Sequence, residues 1–244
     1  EAEAILQSIE QEAAKEGSFP EPQPAAFPAP VIDISMLAKQ PLFARLVVGC
    51  LCLIVINTLL YGFVTWLPTF LVKQGLSITA SFGYTLLMGL GAPIGAAIGA
   101  LTADRWGRKP TIIGASALTI ALGLFYPSIK DPVLLPVIGF ALTVPIYILV
   151  ALLFGIYIPE LFPTEVRLRA AGICNTFGRG ATIVTPFIVV SLFNSGGVSE
   201  VMNLMVALLV IQIIAVFVFG IEPANRRLED IKLEKKPRTS SVKA

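Results

Sequence analysis

Six apolar stretches organise most of this 244-residue chain: 43–71, 81–103, 111–129, 133–158, 170–193 and 201–221. A helix rising 1.5 Å per residue needs about 20 apolar residues to cross a hydrocarbon core about 30 Å thick. Each stretch reaches or approaches that length. Short polar segments separate them: "KQGLS", "DRWGRKP", "SIKDP", "PELFPTEVRLR" and "NSGGVSE". The pattern predicts an all-α membrane protein with six transmembrane helices. Residues 1–17 suit an amphipathic helix with Ile5, Leu6, Ile9 and Ala13 on one side. "FPEPQPAAFPAP" (19–30) is a proline-dense linker that cannot be helical. Residues 1–40 therefore read as a soluble loop region, 41–225 as the transmembrane domain, and 226–244 as a charged tail. The chain opens on Glu in the middle of a helical pattern, as expected of a fragment.

Composition agrees with a bilayer. The chain is 55% hydrophobic and only 14% charged, whereas soluble domains average about 25% charged. A net charge of +2 gives a nucleic-acid partner no support. Cys50, Cys52 and Cys174 all lie in apolar runs. Their odd count argues against a disulfide framework, and the two thiols of a C-x-C pair on a helix diverge, which disfavours zinc. No histidine is present. With no metal-ligand cluster, no nucleophile beside a base and no phosphate-binding glycine loop, neither an enzyme nor a cofactor is implied.

Basic residues set an orientation. Lys73 and Lys130 follow the first and third helices, and Arg179 lies inside the fifth. All the other lysines and arginines fall on the opposite side, among them Lys15, Lys39, Arg45, Arg105, Arg108, Lys109, Arg167, Arg169 and the tail. Both termini are expected to be cytosolic, in a multi-pass protein of the cell membrane.

Two of the charged turns carry more pattern than an anchor requires. "GALTADRWGRKP" (99–110) resembles the D-R-x-G-R-K loop of the major facilitator superfamily, in the copy found in the second half of such transporters. Ala100 stands where that motif usually has glycine. "PELFPTEVRLRA" (159–170) resembles the P-E-x-x-P-x-x-x-R segment shared by sugar porters and related bacterial metabolite–proton symporters. "GIEPANRRLEDI" (220–231) weakly echoes the sugar-porter tail through Glu222 and its "LEDI" end. The resemblance covers residues 40–231. It implies a cytosolic gate formed by Asp104, Arg105, Gly107, Arg108, Lys109, Glu160 and Arg167, with Glu160 and Arg167 paired to each other or to the 104–109 loop. It also implies a 3+3 inverted repeat with solute bound near the midplane, and an N-terminal six-helix half beyond this chain.

Polar residues inside the apolar stretches mark the candidate solute site. Asn57 and Tyr61 lie four apart on one helical face, with Thr65 continuing it. Their N-x-x-x-Y spacing resembles the sugar-porter helix whose asparagine and tyrosine contact the sugar. The glutamines expected earlier in that helix are replaced by the apolar "CLCLIV". Asn57 bonding a neighbouring helix is the alternative. Gly91, Gly95 and Gly99 recur every four residues, a spacing that lets helices approach closely. Pro93 can kink the same helix.

Arg179, in "NTFGRGATIV", lies about 15 Å deeper than Arg169. Arginine at a helix centre costs about 2.5–3.5 kcal/mol on insertion scales, so something must offset it. Its neighbours at three and four residues are Asn175, Thr176, Thr182 and Ile183, three of them polar. The resemblance places Arg179 where sugar porters carry a binding-site tryptophan. Arg179 either clamps the carboxylate of a solute or pairs with an acid outside this chain, since none of the 16 acids here is centrally embedded. A purely structural role is the third reading. The expected function is secondary active transport of a small organic solute, carboxylate or sugar-like, by alternating access. Asn57, Tyr61, Asn175 and Arg179 would face that solute, and proton coupling would reside in the other half. A transporter-derived sensor or a truncated scaffold is the alternative.

Overall fold

The computed structural model describes residues 37–73, 75–129, 131 and 133–221. The helix expected at 1–17, the proline linker, Lys130 and the tail with Glu222 lie outside the described residues. Among the described residues, six helices are long and apolar enough to cross a membrane: α1 (Leu42–Lys73), α2 (Ile78–Trp106), α3 (Arg108–Ser128), α4 (Leu134–Glu160), α5 (Thr164–Gly196) and α6 (Val198–Phe219). Among the described residues there is no strand. The helices overrun the apolar stretches at most ends, because the polar punctuation forms first and last turns instead of loops.

The short connections are set by local chemistry. Gly107, at φ 92°, breaks α2 from α3 in a left-handed conformation that a residue with a Cβ adopts only at a cost. Gly197, at φ 72°, does the same between α5 and α6. Asp131 caps α4, its carboxylate accepting the backbone N–H of Val133 at 2.7 Å and of Leu134 at 3.0 Å. Ser77 caps α2 through the Ala80 N–H.

Proline shapes three of the helices, since each removes one N–H from the ladder. In α1 the ladder slips to π-helical over Leu60–Val64, just before Pro68. There the Thr65 N–H and hydroxyl both donate to the Leu60 carbonyl, at 3.0 and 3.1 Å. In α4 a π-helical stretch covers Ala151–Tyr157 and ends against Pro159. In α2 the interruption falls at Leu90, one turn ahead of Pro93.

Lipid tails are as apolar as leucine, so close packing rather than water exclusion joins these helices. α1 packs most extensively on α5, and α2 on α4; α3 lies against α6 and α4, and α6 also against α1. The glycine spacing of α2 serves the α2–α4 seam. A Cβ on Gly91 would lie 3.1 Å from the Phe140 carbonyl oxygen, and one on Gly99 3.2 Å from that of Ile148. The α1–α5 seam closes at Gly178, where a Cβ would stand 2.9 Å from Leu53 Cβ. Buried polar pairs join the seams. Gln212 of α6 donates to the Ser116 hydroxyl of α3 at 3.1 Å, and the hydroxyls of Thr58 and Thr185 meet at 3.5 Å. α5 and α2 are the least covered of the six.

Candidate functional site

Arg179 sits near the midpoint of the 33-residue α5, with its side chain on an open face of the bundle. Its Nη1 donates to the Tyr61 hydroxyl of α1 at 3.1 Å. Tyr61 is carried by the π-helical segment of α1 and is 38% exposed. The two residues thus form a polar bridge across one edge of the α1–α5 seam. The rest of the polar stripe turns inward on its own helix. Asn175 Nδ2 donates to the Ala171 carbonyl at 3.2 Å, and the Thr182 hydroxyl donates to the Arg179 carbonyl at 2.7 Å. These bonds leave the guanidinium as the strongest donor of the stripe, a planar fork suited to a carboxylate.

Asn57 stands apart from the other three candidate residues. It is 1% exposed, and its Nδ2 donates to the Leu53 carbonyl at 2.7 Å. Close approach of α5 at Gly178 covers it, since a Cβ there would lie 2.8 Å from that Nδ2. Its Oδ1 is buried without a hydrogen-bond partner.

Charged side chains gather at the bundle end that carries the α2–α3 turn. Arg108, in the first turn of α3, forms a two-pronged pair with Glu160 at the end of α4: Nε to Oε2 at 2.9 Å and Nη2 to Oε1 at 3.1 Å. Nη1 of the same guanidinium reaches Asp104 at 3.2 Å and the Ala103 carbonyl at 3.2 Å. The side chains of the Arg108–Glu160 pair are only 16% and 24% exposed. Lys109 extends the other way. Its Nζ donates to the Phe217 carbonyl at 2.8 Å and the Gly220 carbonyl at 3.3 Å, and lies 5.5 Å from the centre of the Phe217 ring. It thereby serves the last carbonyls of α6, which have no partner within their own helix. Arg167 does not meet Glu160; its Nε donates to the Phe162 carbonyl at 3.3 Å. Arg105 is exposed. Two adjacent residues at the start of α3 therefore tie together the ends of α2, α4 and α6.

Six apolar helices with these charged turns bear directly on a comparison of families. Residues 8–159 match the family described as the Major Facilitator Superfamily. The chain belongs to the major facilitator superfamily. It is 32% identical over 238 residues to YdjK of Escherichia coli strain K12, a protein named for metabolite transport, covering 96% of this chain and 52% of that protein. It is 31% identical over 174 residues to the niacin transporter NiaP of Acinetobacter baylyi, covering 71% of this chain and 39% of NiaP. It is 26% identical over 206 residues to the arabinose-proton symporter of Bacillus subtilis, covering 82% of this chain and 44% of the symporter. The chain spans about half the length of such relatives. Membership of this superfamily points to a transporter rather than an enzyme.

For a major facilitator chain, several structural residues escaped the sequence. Lys109 was legible as a motif position, but its contact with α6 spans more than 100 residues. Gln212 is a lone amide in "LVIQIIAVF", a signal open to the same argument applied to Asn57. The contact between Cys50 and Cys174 left no trace in spacing.

Proposed function

We propose that this chain is one six-helix half of a secondary transporter that moves a small organic solute by alternating access. The observation that carries the reading is the Arg179–Tyr61 bridge at 3.1 Å, halfway along a 33-residue membrane helix. A permanent charge there costs about 2.5–3.5 kcal/mol on insertion scales, and a phenol hydroxyl does not neutralise it. An anion does. We take that anion to be the solute, a small carboxylate held by the Arg179 fork with Tyr61 and Asn175 beside it. Niacin, named for one relative, is such a carboxylate. Asn57 lies behind this site, buried where Gly178 lets α5 pack closely on α1.

The helix pairing supports a 3+3 repeat. Exchanging the first three helices with the last three turns the α1–α5 pair into α4–α2, and α1–α6 into α4–α3. Both first members, α1 and α4, carry a π-helical stretch. The 104–109 turn and Glu160 form the cytosolic gate, with both termini on that side, and Arg108–Glu160 is the pair that must part when the gate opens. Proton coupling requires an embedded acid from the other half, to which the name of the arabinose relative lends support.

Uptake into proteoliposomes by the full-length protein tests the reading, with labelled niacin, other small carboxylates and arabinose as probes. Carboxylate uptake that Arg179→Ala reduces at least tenfold supports it. Uptake of arabinose alone, or carboxylate uptake indifferent to Arg179→Ala, refutes the carboxylate assignment. No transport of any solute alongside retained binding would favour a sensor.

A further inference from the structure

Cys50 of α1 and Cys174 of α5 meet across the α1–α5 seam, their Sγ atoms 3.8 Å apart and both thiols free. Glycine brings the helices close on either side of the pair. A Cβ on Gly49 would stand 2.8 Å from Cys174 Sγ, and one on Gly178, a turn further along α5, 3.1 Å from the Leu53 carbonyl oxygen. Cys174 is held facing α1, its thiol also 3.9 Å from the Leu46 carbonyl. Closing the sulfur distance to about 2.05 Å asks for a rotation of the Cys50 side chain, which is half-buried while Cys174 is buried. One turn along α1 from Cys50, Ile54 lines an apolar groove of about 310 Å³ with Thr176, Phe177 and Gly180. That groove lies on the same seam as the pair. Cys52, two residues from Cys50, is 0% exposed and provides an internal control.

We propose that Cys50 and Cys174 form a dithiol site that a hydroperoxide closes into a disulfide, stapling α1 to α5. The Cys50 sulfur attacks the terminal peroxide oxygen. The O–O bond breaks, the alcohol leaves with the thiol proton, and Cys50 becomes a sulfenic acid. The Cys174 sulfur then displaces the hydroxyl, which departs as water with the second thiol proton. The S–S bond forms, and the two electrons lost by the sulfurs have reduced the peroxide. Cys174 precedes Arg179 by five residues, about 7.5 Å along the helix. The staple therefore fixes α1 against α5 about one and a half turns from Arg179 and three turns from Tyr61, and slows turnover, a consequence that rests on the transporter reading.

The experiment treats membrane vesicles containing the full-length protein with cumene hydroperoxide, blocks the remaining thiols and identifies linked peptides by mass spectrometry. Niacin uptake is measured in the same vesicles. A Cys50–Cys174 linked peptide is expected in the wild type and in Cys52→Ser, and in neither Cys50→Ser nor Cys174→Ser. Uptake should fall several-fold with oxidation and recover with dithiothreitol. Absence of the linked peptide, or a link through Cys52, overturns the site. A linked peptide with unchanged uptake overturns the arrest. Should vesicles take up no niacin before oxidation, uptake is read with the carboxylate they do transport, and the peptide result alone decides the dithiol site.

Discussion

Replacing Gly178 by alanine probes the α1–α5 seam, and Gly180, two residues on, supplies the control. A Cβ at 178 would lie 2.8 Å from Asn57 Nδ2, 2.9 Å from Leu53 Cβ and 3.1 Å from the Leu53 carbonyl oxygen, whereas a Cβ at 180 meets nothing within 4 Å. Both substitutions gain helix propensity, up to about 1 kcal/mol each, so the difference between them isolates the clash. Backbone and a buried amide cannot withdraw as the tip of a flexible chain can, and overpacking of this kind costs typically about 1–3 kcal/mol. For a chain this size each kcal/mol moves Tm by roughly 2–4 °C. Thermal unfolding in detergent should therefore place Gly178→Ala several degrees below Gly180→Ala. Equal Tm values for the two alanine variants would refute the close approach of α1 and α5, and with it the account of why Asn57 is buried.

Other outcomes follow from the same geometry. A double-mutant cycle with Arg108→Gln and Glu160→Gln should show coupling of about 1.5–3 kcal/mol, as for hydrogen bonds to charged groups, because the pair is two-pronged and largely covered. Asp104→Asn should change stability by no more than about 0.5 kcal/mol, its side chain being 76% exposed. Lys109→Met removes a cation from the carbonyl end of α6, and amide exchange at 217–221 should speed up about two- to fivefold. Ser116→Ala leaves the buried Gln212 amide unsatisfied, at about 1–3 kcal/mol; Ser116→Ala with Gln212→Leu should restore Tm toward wild type. Tyr61→Phe should weaken solute affinity about two- to tenfold, the worth of one hydrogen bond.

The six spans were legible because each apolar stretch approaches the bilayer length on its own, and no tertiary information is needed to count them. Their ends were less so. "DRWGRKP" reads as a loop, yet Arg108 and Lys109 already belong to α3, because Gly107 alone suffices to turn the chain. The glycines of α2 announced a close helix partner, and α4 supplies it; periodicity could not say which helix. At the candidate site, the mid-helix charge of Arg179 was visible from composition, and Tyr61 from its spacing to Asn57. Their meeting was not visible, since it depends on how α1 lies against α5. That packing also separates Asn57 from Tyr61, although both sit on one face by helical periodicity. Gly178 admits α5 so close that the asparagine is covered, while the slipped ladder at Leu60–Val64 carries Tyr61 to the open side. Likewise Arg167 matches a gate motif in sequence but spends its Nε on a local carbonyl.

Arg179 is proposed to hold a solute anion halfway along α5. Equilibrium binding of the best-transported carboxylate to purified full-length protein and to its Arg179→Ala form tests it most directly, with Gly180→Ala as a folding control. The Kd should be at least tenfold weaker in Arg179→Ala, the loss expected of one charge-assisted hydrogen bond worth about 1.5 kcal/mol or more, and unchanged in Gly180→Ala. Equal affinities for wild type and Arg179→Ala would contradict it.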